Sequence, residues 1–261
     1  MKTARVTIKL LREFSADSPE LGVSELSRRL DLDKATIHRL LRALCDEGII
    51  EQDLATKKYR LGLAILDLAA ARLKTLGFVE QALEEMRNLR DTLGETVAIL
   101  VRDGLEMVCV QQHEASHPLT VRFTLGERAP IHVTAGGTLI LAEMSDEDWP
   151  IVARDAAIAN PGFAEAKVDQ LVARVNRARV DGYAIADQTY QQGVRAIAAP
   201  IRDRVGKMVG VLSMVVPVTR MTLSTLRGHA SELKGATKRI GDRIPGGVDL
   251  LSSDRADLFK V

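Results

Sequence analysis

The chain has 261 residues, 46% hydrophobic and 27% charged with only 3% aromatic, a length that allows two domains with aliphatic cores. A net charge of +1 excludes a general polyanion binder. The two cysteines, Cys45 and Cys109, are too few for a disulfide framework or a four-cysteine zinc site and read as buried thiols.

Lys2, Arg5, Lys9 and Arg12 interrupt the apolar residues at the N-terminus, so no secretory signal is expected there. No apolar run approaches the roughly 20 residues that span a bilayer. The expectation is a cytoplasmic protein without a membrane partner. Thr3 to Ser15 reads as a first helix with Val6, Leu10, Leu11 and Phe14 on one side, broken by Ser18-Pro19-Glu20. Ser24 is the expected N-cap of a second helix carrying Leu26 and Leu30. Asp31-Leu32-Asp33 interrupts the pattern, and Lys34 opens a third helix. There Ile37, Leu40, Leu41 and Leu44 recur at helical spacing, while Ala35, His38, Arg39 and Arg42 fall on the opposite face. An apolar back with a small, polar and basic front, one turn after another helix, suits insertion into a DNA major groove. Gly48 ends the helix. Ile49 to Gln52 and Tyr59 to Leu61 then read as a hairpin around a polar turn, with Lys57, Lys58 and Arg60 near its tip, where phosphates would lie.

Leu63 to Leu76 is expected to be a linking helix, and Phe78 to Leu93 an amphipathic one closed by Gly94. The period then changes. Thr96–Arg102 and Leu105–Gln111 are β-branched runs joined by Asp103-Gly104, a strong hairpin signal. Leu119 to Phe123 is expected as a third strand. Helices are expected at Thr134–Met144, Asp146–Ala153 and Val168–Val180, and strands at Tyr183–Ala186, Val194–Asp203 and Val209–Val216. Leu223 to Ile244 reads as one long closing helix, stopped by Pro245-Gly246-Gly247 before a mobile tail.

The domain plan is therefore a DNA-reading unit at 1–62, a linker helix at 63–77, a sensory α+β unit at 78–245 and a tail at 246–261. Residues 1–60 hold 12 Lys and Arg against 10 Asp and Glu, so DNA affinity must come from placement and from pairing copies rather than from bulk charge. Ala135, Gly136 and Gly137 open the helix after Thr134. Their small size leaves first-turn N–H groups open to an anion, although the same glycines would also serve close packing against a strand. His113-Glu114-Ala115-Ser116-His117 spells HExxH, which holds zinc only when both histidines share a helix face. Here it follows a β pattern and precedes Pro118, so no metal is expected. Nucleophile elbow, P-loop and dinucleotide fingerprint are all missing, and no cofactor or catalytic residue is expected. A sensory or metabolic enzyme, with zinc at residues 113–117 as one variant, is the alternative reading.

The stretches LDKATIHRLLRALCDEGIIEQD (32–53) and KKYRLG (57–62) resemble the winged helix of IclR-type bacterial transcriptional regulators. So do GERAPIHVTAGGTLILAE (126–143) and the run from Gly182 to Pro217, which resemble that family's effector domain. The resemblance implies a winged helix-turn-helix, a linker helix and a GAF-like antiparallel sheet with flanking helices. It implies a homo-oligomer, dimer or dimer of dimers, with the first helix in a dimer contact. Its partners would be double-stranded operator DNA and a small-molecule effector, with a small carboxylate or aromatic acid favoured. Lys34, Ala35, Thr36, His38, Arg39, Arg42, Lys57, Lys58 and Arg60 would meet DNA. The effector would be held by Ala135, Gly136 and Gly137, by Ala186, Asp187, Val194, Ala196, Ser213 and Val215 on a strand set, and by Val121 and Ala129. Three positions depart from the family pattern: Ala35 replaces a usual serine, Thr138 a usual lysine, and Thr189 a frequent acid.

Overall fold

The computed structural model describes residues 2–15, 17–163 and 168–246. They divide into two compact units, Met1–Thr75 and Leu76–Val261. The predicted tail lies, beyond Gly246, outside the described residues.

The first unit contains α1 (Lys2–Leu11), α2 (Val23–Leu30), α3 (Lys34–Asp46), a hairpin of β1 (Ile50–Gln52) and β2 (Tyr59–Leu61), and α4 (Ala64–Thr75). Leu10, Leu26, Ile37, Leu41 and Ile50 are all at most 1% exposed and form its core. Each such burial is worth about 1.5–3 kcal/mol, which is what holds three short helices together. Asp31 takes φ 52° at the end of α2, the left-handed step that turns the chain into α3. The predicted cap is corrected: α2 begins at Val23 with Gly22 as N-cap and no side-chain cap, so Ser24 lies inside the first turn. Leu21 pairs with Tyr59 through two backbone hydrogen bonds of 2.9 Å and anchors the hairpin root. Gly62 must be glycine, because a Cβ there would lie 2.1 Å from the carbonyl oxygen of Gly48.

The second unit opens with α5 (Phe78–Leu93) and is built on a six-stranded antiparallel sheet. Its strands are β3 (Thr96–Asp103), β4 (Glu106–His113), β5 (Arg128–Pro130), β6 (Ala184–Asp187), β7 (Val194–Arg202) and β8 (Met208–Pro217), in the spatial order β5-β4-β3-β8-β7-β6. Helices α6 (Ala135–Ala142), α7 (Asp148–Ala159) and α8 (Val168–Asp181) follow the first strands, and α9 (Leu223–Gly228) and α10 (Ala230–Gly241) follow the last. Both faces of the sheet are covered, so alternation sorts side chains between two cores. Val97, Ile99 and Val101 of β3 join the core under α5 and α10, while Ala98 and Leu100 join the one under α6 to α8.

Two expected elements fail. Residues 119–123 form no strand. The free edge of β4 is taken instead by residues 126–130, where Gly126 and Glu127 exchange backbone hydrogen bonds with Cys109 ahead of β5. The Thr120 hydroxyl bonds the Thr96 hydroxyl (3.1 Å), and the Phe123 backbone N–H donates to Oε1 of Gln112 (3.1 Å). The closing helix is broken at His229, where Gly228 ends α9 and α10 starts afresh. Cys109 is buried, as expected, and burial pushes its thiol up to about 12, but Cys45 is only half-buried. Among the described residues no helix is long and apolar enough to cross a membrane.

Candidate nucleic-acid interface and ligand cavity

The entry to α3 is fixed by Asp33, whose carboxylate accepts from the Thr36 N–H (2.8 Å) and the Thr36 hydroxyl (2.7 Å). These bonds, the hydroxyl first, hold the Asp33 carboxyl below the ordinary carboxylate range. With Ile37, Leu40 and Leu41 buried behind it, α3 presents Lys34, Ala35, His38, Arg39 and Arg42 to solvent. Thr36 is differently employed. Its hydroxyl, already bound to Asp33, also accepts from Nη2 of Arg39 at 3.1 Å, so it orients the arginine beside it.

In the hairpin turn, Oδ1 of Asp53 accepts from the N–H groups of Ala55 (3.0 Å) and Thr56 (2.7 Å), which presents Lys57 and Lys58 outward. Arg60 stands opposite Glu51 in the ladder rather than at the tip, and pairs with it at 3.3 Å. That exposed pair is worth about 0–1 kcal/mol, too little to keep Arg60 from a phosphate. His38, Arg39 and Arg42 line a shallow groove with Cys45, Gln52 and Tyr59. The last three were not nominated from sequence; the expected hairpin beside the helix was the only pointer to them.

On the α6 side of the sheet lies a narrow apolar cavity of about 60 Å³. Every strand contributes to it. Ala129, Ala186, Val194, Ala196, Ser213 and Val215, all nominated from sequence, line it together with Leu100 of β3 and Met107 of β4. Ala135 and Gly136 close one end. The Thr134 hydroxyl accepts from the Gly137 N–H at 3.0 Å, so the donors left in this first turn are the N–H groups of Ala135 and Gly136.

Three nominated residues lie elsewhere. Gly137 does not line the cavity; a Cβ there would sit 2.0 Å from the Ile131 carbonyl oxygen, so its glycine serves packing. Asp187 points away and binds Nε of Arg195 at 2.8 Å. Val121 sits in the irregular 119–123 stretch outside the lining. Thr138, where the family pattern has lysine, is buried and donates to the Thr134 carbonyl at 2.9 Å. The lining is completed by Thr189, singled out from sequence as a departure from the family pattern, and by Phe123, Glu127, Tyr190 and Gln191, which the sequence did not nominate as ligand contacts. Tyr190 is pushed up by burial, and secondarily by Glu127 and Glu106. Its place in the short connection between two strands already nominated was the signal that could have found it.

The HExxH stretch has the wrong geometry for zinc. His113 ends β4, and residues 114–117 form an irregular loop instead of a helical turn. Glu114 pairs with Arg122 at 3.2 Å, and burial, then Arg90 and Arg87, pulls the His113 imidazole down. Among the described residues no cluster of three metal-ligating side chains forms.

Comparison with known proteins agrees along almost the whole chain. Residues 70–242 match the family "Bacterial transcriptional regulator IclR C-terminal", and residues 3–54 match the "IclR helix-turn-helix domain". The transcriptional regulator KdgR of Dickeya chrysanthemi is 26% identical over 226 residues, 86% of this chain and 74% of that protein. The repressor AllR of Escherichia coli K12 is 27% identical over 216 residues, 82% of this chain and 80% of its own. Among solved structures, an IclR regulator from Silicibacter superposes with a TM-score of 0.73 at 26% identity, covering 94% of this chain and 98% of that one. An IclR homologue from Microbacterium hydrocarbonoxydans, complexed with 4-hydroxybenzoate, shares the fold with a TM-score of 0.76 at 22% identity, covering 92% and 97%. The relatives are regulators rather than enzymes, and this chain belongs to the IclR family of DNA-binding bacterial transcriptional regulators.

Proposed function

We propose that the protein is a ligand-responsive regulator that binds operator DNA as a homo-oligomer and controls a catabolic operon in answer to a small organic acid, with aromatic acids the first class to test. The observation that carries the ligand reading is the narrow apolar cavity reaching the α6 N-terminus. Leu100, Met107, Ala196 and Val215 offer apolar walls to a flat ligand body, and the two N–H groups at the positive end of the helix suit a carboxylate. The same fold holds 4-hydroxybenzoate in the Microbacterium homologue. Dimers would lay two α3 helices into successive major grooves of a pseudo-palindromic site, with Arg39, Arg42, His38 and Ala35 at base edges. Lys34, Lys57, Lys58 and Arg60 would lie on phosphates. The effector acts only through its different affinity for the DNA-bound and free arrangements.

The test is binding of purified protein to DNA flanking its own gene across a salt series, then to the same DNA with a panel of aliphatic and aromatic acids. Binding to one segment that weakens steeply with salt is expected. One acid that shifts this binding, and that no longer acts on an Ala196→Leu variant, supports the cavity. Binding that no acid alters would make the protein a constitutive reader.

A further inference from the structure

Several arginines of the second unit with part-buried side chains are matched to acids: Arg128 holds Asp103 and Glu106, Arg195 holds Asp187, Arg202 holds Glu143, and Arg220 holds Glu95. Arg174, on the inner side of α8, is not. Its Nη2 donates to the His132 carbonyl at 2.7 Å, its Nε is buried without an acceptor, and no carboxylate among the described residues pairs with it. Burial alone lowers its pKa to about 10. A part-buried guanidinium without a counter-charge is costly to fold around unless something supplies the anion.

The space beside it can hold one. Arg174 opens into a groove of about 660 Å³ between α8 and the edge strand β6. Arg227 of α9 reaches the groove from the other side, exposed and without an acidic partner among the described residues. The groove's own acids are already engaged: Asp181 by Arg177 at 2.5 Å and Asp187 by Arg195 at 2.8 Å. Tyr183 adds a hydroxyl group. The free charge in the groove is therefore positive, in the form of two guanidinium forks, the geometry that grips carboxylate and phosphate in bidentate fashion.

We propose that this groove is a second ligand site, separate from the cavity, for a small oxyanion carrying carboxylate or phosphate, seated on Arg174 and clamped by Arg227. The site lies directly behind the cavity wall. Thr189 lines both spaces and donates to the Val133 carbonyl at 2.5 Å, next to the His132 carbonyl that Arg174 holds. That segment leads straight into Thr134, the cap of α6. An anion on Arg174 is thus positioned to alter the end of the cavity where the first ligand's carboxylate would lie.

The experiment is isothermal titration calorimetry of the full chain with citrate and with inorganic phosphate, in separate arms at fixed ionic strength set by chloride. Saturable binding of either is expected, and the stronger arm names the preferred group. Arg227→Ala changes an exposed side chain and should keep the fold while weakening binding about tenfold or more. Arg174→Lys, which keeps the charge but loses the fork, should weaken it at least as much, whereas Ala196→Leu in the cavity should leave it unchanged. Absence of saturable binding in both arms overturns the proposal. So does binding that survives both arginine changes and disappears in Ala196→Leu, which would place the anion in the cavity and leave the effector reading standing.

Discussion

In the DNA-reading face proposed for α3, Arg39 is the residue held most firmly in place. Its guanidinium is exposed on α3 but not loose, because the Thr36 hydroxyl accepts from it and Thr36 is itself fixed by Asp33. A pre-oriented fork loses less freedom on meeting a base edge. Arg39→Ala is expected to cost roughly 1–3 kcal/mol of operator affinity, about five- to 150-fold, by fluorescence anisotropy, and to relax preference at one base pair. An affinity unchanged by the substitution would move the reading helix elsewhere. Two adjacent glycines offer a contrast at the same scale. An added Cβ at Gly137 meets backbone, the Ile131 carbonyl oxygen at 2.0 Å, while one at Gly136 meets a side-chain methyl, Cγ2 of Val211, at 2.8 Å. Side chains repack more readily than backbone, so in urea unfolding Gly137→Ala should lose more stability, on the order of 3 kcal/mol, than Gly136→Ala. Equal losses would show that the close approach at Gly137 is not what fixes the turn into α6.

At the scale of elements, the loop between β4 and β5 is held by a buried ion pair. Glu95 is 2% exposed and pairs with Arg220 at 2.9 Å, and Arg220 also donates to the Leu119 carbonyl. Burial raises the Glu95 carboxyl, against the lowering pull of Arg220 and His117. Arg220→Ala leaves that acid buried and unpaired, at a cost of about 3 kcal/mol near neutral pH. A carboxyl whose folded pKa is raised contributes stability that is present below its unfolded pKa and lost as pH rises through the folded value. The variant's deficit should therefore shrink from pH 8 to pH 5 in denaturant titrations; a deficit independent of pH would mean that the loop, not the charge, was lost. The same region shows where sequence stops being legible. The residues 119–123 have strand character, but which segment wins the β4 edge depends on Gly126 and Glu127 reaching Cys109, a contact no local pattern records. The break at His229 is equally hidden, because Leu226, Ala230, Leu233 and Ile240 keep helical spacing across it and all face one core. By contrast α3 and the hairpin were readable, since a periodic apolar stripe and a polar turn are local signals. The cavity was half readable: the small residues on its strand faces stood out by motif, while Tyr190 and Glu127 enter it through loop paths that only the folded chain defines.

For the whole molecule, the decisive question is how a chain with so little net positive charge holds DNA at all. Few phosphates can be met by Lys34, Lys57, Lys58 and Arg60 of one reader, so a tight complex requires two readers acting together, the second at high effective concentration. The first unit carries a surface suited to that pairing. None of the residues of α4 is buried, and Leu66 and Leu73, seven positions apart and so on one face, are 62% and 42% exposed. Ile8 of α1 is 51% exposed as well. Apolar side chains at helical spacing, uncovered by their own unit, fit a two-fold interface in which each copy covers the other. Leu66→Glu with Leu73→Glu would place like charges across such an interface. The double variant is expected to sediment as a monomer in analytical ultracentrifugation, and its operator affinity should drop by about 10²-fold or more as avidity is lost. Binding of a cavity ligand, which depends on the second unit alone, should be unchanged in calorimetry. A variant that remains dimeric would exclude α4 from the interface. One that is monomeric yet binds the operator at full strength would show that a single α3 helix and its hairpin carry the affinity unaided.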